Sequence, residues 1–262
     1  MISTFQAIVL GIVQGLTEFL PVSSSAHLIL VPWLFKWPED PGLAFDVVLH
    51  LGTLLALLIF YWREWLAMVM SLVNGDRVQR RLLFMLIVAS VPGAIIGVLL
   101  EKEAETIFRS PVLIAGTLAA LGILLWAGDA IGSKKRKIDE ITLFDAILIG
   151  LSQAFAIIPG VSRSGATITT ARFLGIDRPD AANFSFLMAT PIIAGAGLIE
   201  ARKFFHEGLT AQLGWGFAAS AVFGLLAIVW LLRFVRNNSY RSFAIYRVAL
   251  AVLVVAVAFA RA

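Results

Sequence analysis

Residues 14–27 carry polar and ionisable side chains inside a stretch that is otherwise strongly apolar. Gln14 and Glu18 are four residues apart, which places an amide and a carboxylate on one face of a helix. The polar residues that follow are Ser23, Ser24, Ser25 and His27. Ionisable groups at membrane depth are costly unless they serve a site or a pathway. We therefore expect this segment to supply an acid, a hydroxyl nucleophile and a proton shuttle.

A second polar segment, PGVSRSGAT, interrupts another apolar stretch. An arginine flanked by hydroxyls and glycine amides at a helix start is suited to holding an anion, because guanidinium, N–H groups and helix dipole all favour negative charge. The predicted anion-binding residues are Gly160, Ser162, Arg163, Ser164 and Gly165. Together the two segments offer what phosphoryl transfer requires, namely a hydroxyl near a base and cationic groups that neutralise phosphoryl oxygens.

Structural roles compete with these assignments. Serines in membrane helices often hydrogen-bond to the backbone or between helices, and this alternative stays open for Ser23 and Ser25. A pairing of Glu18 with Arg163 would also satisfy two buried charges without any catalysis. Packing, loop or snorkelling roles are favoured for a further set of residues: Asp46, His50, Tyr246 and Arg247.

The composition indicates the environment in which these residues act. The chain has 262 residues, of which 60% are hydrophobic and 15% charged, with a mean hydropathy of +0.90. Soluble domains are about half apolar and a quarter charged. Apolar runs of near twenty residues recur, which predicts an all-α polytopic membrane protein without a soluble domain. The net charge of +4 is attributed to membrane loops rather than to a nucleic-acid surface, and a chain without cysteine has no disulfide or thiolate chemistry.

Two regions differ from an ordinary membrane span. Residues 5–33 are broken at Pro21, and residues 142–175 are broken at Pro159-Gly160. At about 1.5 Å per residue, the roughly sixteen residues before Pro21 reach about 24 Å, less than a hydrocarbon core of about 30 Å. Each region is therefore predicted to be a re-entrant helical hairpin whose tip lies in a wet, protein-lined cavity. Six other segments are predicted to be full transmembrane helices, at about 43–62, 82–100, 112–130, 184–200, 214–232 and 243–260.

The two broken regions also resemble each other. A shift of 139 residues superposes Gly11, Gln14, Val22, Ser23 and Ser25 on Gly150, Gln153, Val161, Ser162 and Ser164. This predicts one membrane domain, 1–262, with an internal repeat at about 1–130 and a second at about 140–262. Each repeat would hold one hairpin and three spans, and an odd number of spans gives the two repeats inverted topology.

Basic residues are concentrated in the connections 63–81, 131–141 and 233–241. The positive-inside rule places these connections in the cytoplasm. Both termini and the 101–111 connection are then outside, the first hairpin enters from the outer face, and the second enters from the cytoplasmic face. The two tips are predicted to meet near the middle of the membrane.

Four longer segments carry a family resemblance: GIVQGLTEFLPVSSSAHLIL, FDVVLHLGTLLA, IIPGVSRSGATI and FSFLMATPIIAG. They resemble the signature segments of the undecaprenyl-diphosphate phosphatase family, the bacitracin-resistance membrane phosphatases, in an order that runs from about residue 6 to FAIYR at 243–247. The resemblance implies an enzyme of the bacterial inner membrane with an active site facing outward. It would hydrolyse undecaprenyl diphosphate to the monophosphate and so recycle the lipid carrier of cell-wall synthesis.

The resemblance also implies roles for individual residues. The family's E/Q-x-x-x-E motif falls on Gln14 and Glu18, its serine and histidine on Ser24 and His27, and its phosphate-binding arginine on Arg163. A divalent cation, magnesium or calcium, is implied, with Glu18 and Gln14 as its predicted ligands. Many members have glutamate where this chain has Gln14, which weakens a two-carboxylate metal site. The expected partners are a prenyl diphosphate substrate and membrane lipid, with a homodimer left open and no nucleic acid.

The predicted reaction is attack by Ser24 on the terminal phosphorus, assisted by His27 or Glu18, and direct attack by water stays open. The predicted substrate-binding residues are Gln14, Ser23, Ser25, Gly160, Ser162, Ser164 and Gly165. Asn183 stands where family members often carry an acid and is assigned no chemistry. The alternative function is a secondary transporter or flippase for an anionic or lipid-linked substrate, since inverted repeats with broken helices also serve transport. A serine close to a histidine favours the phosphatase.

Overall fold

The computed structural model describes residues 2–37, 42–100, 107–131, 135–207 and 210–261, and the fold of these residues is all-helical, as predicted. The α-helices in chain order are α1 (Thr4–Phe19), α2 (Ser24–Leu34), α3 (Gly42–Phe60), α4 (Trp62–Asn74), α5 (Arg77–Leu99), α6 (Pro111–Ala130), α7 (Leu143–Ala154), α8 (Arg163–Phe173), α9 (Arg178–Glu207), α10 (Ala211–Asn237) and α11 (Arg241–Arg261). Short 3-10 helices occupy Ile107–Arg109, Ile138–Glu140 and Phe155–Ile157.

The long apolar helices account for the predicted membrane spans. Within the described residues, five helices are long and apolar enough to cross a membrane: α5, α6, α9, α10 and α11. Helix α3 makes a sixth with α4, from which it is bent by 71°. The prediction that 63–81 is a loop was wrong, because α4 fills most of it. Its apolar residues recur at helical spacing, and Leu66, Val69 and Val73 are exposed along one face while Met68 is buried.

The two shorter helix pairs, α1–α2 and α7–α8, are broken where the sequence predicted, at Pro21 and at Pro159-Gly160. The residue before each second helix has the same unusual backbone, with φ of 75° at Ser23 and 71° at Ser162. Each of these serines caps its helix by accepting a hydrogen bond from the N–H three residues later. The two tips thus share one local structure, while the inverted relation of the complete repeats stays a prediction.

The two hairpins enter the protein from opposite ends. Arg261, at the end of α11, donates to the carbonyl of Leu34 at the end of α2 (2.9 Å). Asp129 instead accepts hydrogen bonds from Arg172 at the end of α8 (3.1 Å) and from the N–H of Tyr240 just before α11 (3.0 Å). The outer ends of the hairpins therefore lie at opposite ends of α11.

The basic connections collect at the α8 end of the molecule. Arg81, near the start of α5, donates to the carbonyl of Ile141 (2.9 Å), which joins the start of α5 to the 131–141 connection. A hydrogen bond to Asp145 holds the pKa of Arg136 above its usual range. Residues 101–106 and 132–134, which belong to predicted connections, lie outside the described residues. Which end faces the cytoplasm stays a prediction.

Glycines bring α1 and α3 into close contact with α10. A Cβ added at Gly15 would lie 2.6 Å from the carbonyl oxygen of Ser220, and one added at Gly52 would lie 2.6 Å from that of Phe217. Such distances leave no room for a side chain, so helix backbones touch at these points. This contact sets the rotation of α1 about its axis, and with it the direction in which Gln14 and Glu18 project.

Candidate active site

Glu18 lies in the last turn of α1 and is only 6% exposed. Its Oε2 atom accepts hydrogen bonds from the hydroxyl of Ser24 (2.6 Å) and from the amide nitrogen of Gln14 (3.0 Å). Its Oε1 atom accepts one from the guanidinium of Arg163 (2.9 Å). One carboxylate therefore joins the predicted nucleophile of the first hairpin to the predicted anion clamp of the second.

Arg163 begins α8 and is held from two sides. One terminal nitrogen binds Glu18, and the other donates to the backbone carbonyl of Ser185 on α9 (3.0 Å). Ser24 and Arg163 are both only partly buried, whereas Gln14 is fully buried. A guanidinium has five N–H donors, so two anchors leave donors for an incoming anion. Ser24 and Arg163, the predicted nucleophile and the predicted anion clamp, thus both keep some solvent exposure.

His27 lies beside the site but is engaged elsewhere. One ring nitrogen is 2.7 Å from the carbonyl oxygen of Ser23, and the other is 2.6 Å from the hydroxyl of Tyr246. The rings of His27 and Tyr246 are stacked with centroids 5.7 Å apart. Since the hydroxyl of Ser24 donates to Glu18, this geometry favours Glu18 over His27 as the base for that serine.

Several predicted substrate ligands make hydrogen bonds within and between the tips. The hydroxyl of Ser23 accepts from the N–H of Gly160 (3.1 Å) and lies 3.3 Å from the hydroxyl of Ser25. Ser164 donates to the carbonyl of Leu20 (3.1 Å). Two more of the predicted ligands form the N-terminal cap of α8, where the hydroxyl of Ser162 accepts from the N–H of Gly165. In this arrangement these groups hold the tips together, and their contact with substrate stays a prediction.

Arg247 is completely buried where the two tips meet, which agrees with the packing role among the three expected and disagrees with a loop or snorkelling role. Among the described residues, its guanidinium donates only to backbone carbonyls, at 2.6–3.1 Å. These belong to Pro21, Leu118, Gly160 and Val161. Irregular backbone at membrane depth must have its polar groups satisfied by protein or water. Arg247 does this for both helix breaks at once.

Two further residues, for which the sequence favoured structural roles, lie close to the Glu18 cluster or bind His27. His50 on α3 has a ring nitrogen 3.5 Å from the Glu18 carboxylate, and its other ring nitrogen is 2.7 Å from the carbonyl oxygen of Asp46. Tyr246 binds His27 as described above. The available signal was an ionisable or hydroxyl group inside an apolar helix. Asn183 accepts a hydrogen bond from the hydroxyl of Tyr61 (2.6 Å), outside this cluster.

The side-chain oxygens expected to bind the implied cation belong to Glu18 and Gln14. The side-chain oxygen of Gln14 is buried and has no hydrogen-bond partner among the described residues, while its nitrogen is bound to Glu18. Within the same residues no group of three or more His, Cys, Asp or Glu side chains is placed to hold a metal. Magnesium is often held by one or two carboxylates together with substrate phosphates. The Glu18 carboxylate already accepts hydrogen bonds from Ser24, Gln14 and Arg163, so the cation and its ligands stay a prediction.

Comparisons with known proteins show the family to which the chain is similar. The family model "Bacitracin resistance protein BacA" matches residues 7–253. A relative from Moorella thermoacetica is 56% identical over 257 residues, which cover 97% of this chain and 98% of that protein. Relatives from Gemmatimonas aurantiaca and Desulforudis audaxviator are 52% and 50% identical, with 97% and 98% of this chain and of each relative covered. All three relatives bear the name undecaprenyl-diphosphatase.

Proposed function

The chain belongs to the bacitracin resistance protein BacA family, and we infer that it is an undecaprenyl-diphosphatase of the bacterial membrane. It hydrolyses undecaprenyl diphosphate to undecaprenyl phosphate and inorganic phosphate, and it thereby returns the lipid carrier to cell-wall synthesis. The identity of 56% over nearly the full length and the apolar helices support this function. The alternative of a transporter or flippase has no support.

We propose that Ser24 is the nucleophile and Glu18 its base. The observation that carries this assignment is the 2.6 Å hydrogen bond from the Ser24 hydroxyl to a carboxylate that Arg163 also binds. The Ser24 oxygen attacks the terminal phosphorus while its proton passes to Glu18. The bond between the terminal phosphorus and the bridging oxygen breaks, and undecaprenyl phosphate leaves. Water then attacks the phosphoserine and releases inorganic phosphate.

Arg163 stabilises the charge that develops on the phosphoryl oxygens. Its position is set before substrate arrives, because Glu18 and the carbonyl of Ser185 hold the guanidinium from two sides. Preorganised donors of this kind contribute more than mobile ones, since they need no rearrangement during the reaction. A magnesium or calcium ion held by Glu18 and Gln14 would neutralise further phosphoryl charge.

We further propose that the site opens toward the outer side of the membrane. The basic connections gather at one end of the molecule, and helix α2 of the first hairpin ends at the other. The positive-inside rule favours the basic end as the cytoplasmic one. A diphosphate attached to a hydrophobic tail reaches such a site from the lipid. The role of a second copy of the chain stays open.

The test is phosphate release from a prenyl diphosphate by purified protein in detergent, with and without chelator. Acid quenching followed by mass spectrometry would detect phosphate on the peptide that contains Ser24. We expect that signal in wild-type protein and its loss, together with turnover, in Ser24→Ala. Near-normal turnover by Ser24→Ala would overturn the nucleophile assignment. Failure of wild-type protein to release phosphate would overturn the function itself.

A further inference from the structure

Helix α4 runs between two membrane-spanning helices but is too short to cross a membrane itself. At about 1.5 Å per residue, the 13 residues of α4 reach about 20 Å. The 19 residues of α3 reach about 28 Å and nearly cross a hydrocarbon core of about 30 Å without α4. The axis of α4 is bent by 71° from that of α3. Helix α4 therefore runs mostly across the direction of the span that precedes it.

One face of α4 is apolar and exposed along the length of the helix. Its side chains recur at intervals of four, three and four residues, and each is more than half exposed: Trp62, Leu66, Val69 and Val73. We call these four residues the α4 stripe. Met68 and Ser71, on the other side of the helix, are fully buried. The helix thus packs on the protein with one side and leaves the stripe exposed among the described residues.

Arginines flank the α4 stripe at both ends. Arg63 follows Trp62, and its guanidinium lies 5.1 Å from the centre of that indole ring. Arg77 and Arg80 are exposed at the start of α5, which begins two residues after α4 ends. Tryptophan is enriched where apolar chains meet lipid head groups, and basic residues there are attracted to anionic lipid. The two ends of α4 therefore carry residue types that are typical of a membrane boundary.

The charges around α4 distinguish between the partners that would cover the stripe. The segment 62–81 contains four arginines and two acids, Glu64 and Asp76, and Asp76 accepts hydrogen bonds from two N–H groups at the start of α5. A second copy packed face to face on the same stripe would bring equal charges together. Water would leave the apolar side chains unburied. An anionic lipid surface supplies both acyl chains and negative charge.

We propose that α4 lies in the boundary between lipid and water, where its stripe enters the outer acyl chains and the flanking arginines bind the phosphate groups of anionic phospholipids. Amphipathic helices with basic residues beside an apolar face bind membranes in this way. The contact anchors the end of α3 and the start of α5 at the membrane surface. The proposal requires only that the protein lies in a membrane, and it is independent of the catalytic assignment and of which side is cytoplasmic.

The chain contains no cysteine, so single cysteines can carry a spin label at chosen positions of the full-length protein in nanodiscs. Leu66→Cys and Val69→Cys lie on the stripe, and Glu64→Cys is a matched control at an exposed position on the other side of the same helix. Ile95→Cys, at an exposed position of the spanning helix α5, provides a reference inside the lipid. The measurement is the collision rate of each label with oxygen, which concentrates in lipid, and with a water-soluble nickel chelate.

The two stripe labels should collide with oxygen more often than with the chelate, as the label at Ile95 does, and the label at Glu64 should show the reverse. Ready access of the chelate to the stripe labels would place the stripe in water and overturn the proposal. Exclusion of both reagents from the stripe would assign it to a protein partner, a second copy included, and would overturn the lipid surface.

The anionic component is tested with the Leu66→Cys label in nanodiscs of phosphatidylcholine to which phosphatidylglycerol is added at increasing mole fraction. The label should become less accessible to the chelate as this fraction rises. Arg63→Gln and Arg80→Gln should each require about a fivefold higher fraction for half the change, the contribution of one cation near an anionic lipid. Glu64→Gln removes a charge of opposite sign beside Arg63 and should require no higher fraction. No response to phosphatidylglycerol, an equal loss in Glu64→Gln, or an undiminished response in both arginine variants would each overturn the proposal.

Discussion

Replacement of Arg163 by lysine separates the shape of the anion clamp from its charge. In the wild type, one nitrogen of the guanidinium binds Glu18 and another binds the carbonyl of Ser185, at 2.9 and 3.0 Å. An ammonium on a shorter side chain keeps the positive charge but lacks the planar fork that makes both bonds in one fixed geometry. We therefore expect Arg163→Lys to fold but to position its charge poorly.

The expected loss follows from what one preorganised donor contributes. Removal of such a donor commonly lowers the rate by about 10²–10³, which is about 2.7–4 kcal/mol of transition-state stabilisation. Because the lysine retains the charge, we expect Arg163→Lys at the lower end, about a 10²-fold loss of kcat. Arg163→Met goes further, since it leaves the carboxylate of Glu18, whose side chain is 5% exposed, without its cation. Breaking a buried ion pair in this way costs about 3–5 kcal/mol of stability.

The assay is the initial rate of phosphate release from a prenyl diphosphate in detergent micelles, with thermal unfolding measured on the same preparations. Arg163→Lys should unfold near the wild-type temperature and turn over slowly, while Arg163→Met should show both losses. Near-wild-type turnover by Arg163→Lys would refute the reasoning, because charge alone would then suffice. Early unfolding of Arg163→Lys would mean that the fork supports the fold rather than the reaction.

Three further outcomes are expected. Gln14→Glu places a second carboxylate against Glu18, so turnover should become more sensitive to chelator than in the wild type; unchanged sensitivity would remove Gln14 from any cation site. Gly15→Ala should lower the unfolding temperature and the turnover, because the added Cβ would clash with α10. Gly116 has open space around it, so Gly116→Ala should be neutral or stabilising. Equal effects of the two substitutions would contradict the close contact. A cysteine at Lys135 should react with a membrane-impermeant reagent only in opened cells, and labelling of intact cells would reverse the orientation.

The helix breaks were predictable because their causes are local. Proline disfavours a continuous helix, although Pro32, Pro92 and Pro191 lie inside helices here. The rise of about 1.5 Å per residue shows from length alone that the halves on either side of Pro21 are short for a membrane. Helix α4 was missed for a local reason too. The arginines at both ends of 63–81 suggested a solvated loop, although apolar residues recur at helical spacing between them.

The hydrogen-bond partners of the site residues were harder to predict from the sequence, because they depend on contacts between distant parts of the chain. The residues of the Glu18 cluster were identified by type and motif, but the choice between Glu18 and His27 as the base depends on geometry. Tyr246, which binds His27, is 219 residues away from it in sequence. The sequence left packing, loop and snorkelling roles open for Arg247, and only the packed structure shows the carbonyls around it.

The position of Arg247 also bears on how the protein is made. It belongs to the last helix, yet the carbonyls of Pro21 and Gly160 that it satisfies precede it by 226 and 87 residues. Synthesis proceeds from the N-terminus, so both hairpin tips are made before the guanidinium that completes them. Until α11 is inserted, these carbonyls lack that donor, and an unsatisfied backbone group in hydrocarbon costs several kcal/mol. We therefore expect the backbone of the two hairpin tips to be fully hydrogen-bonded only after α11 has been inserted.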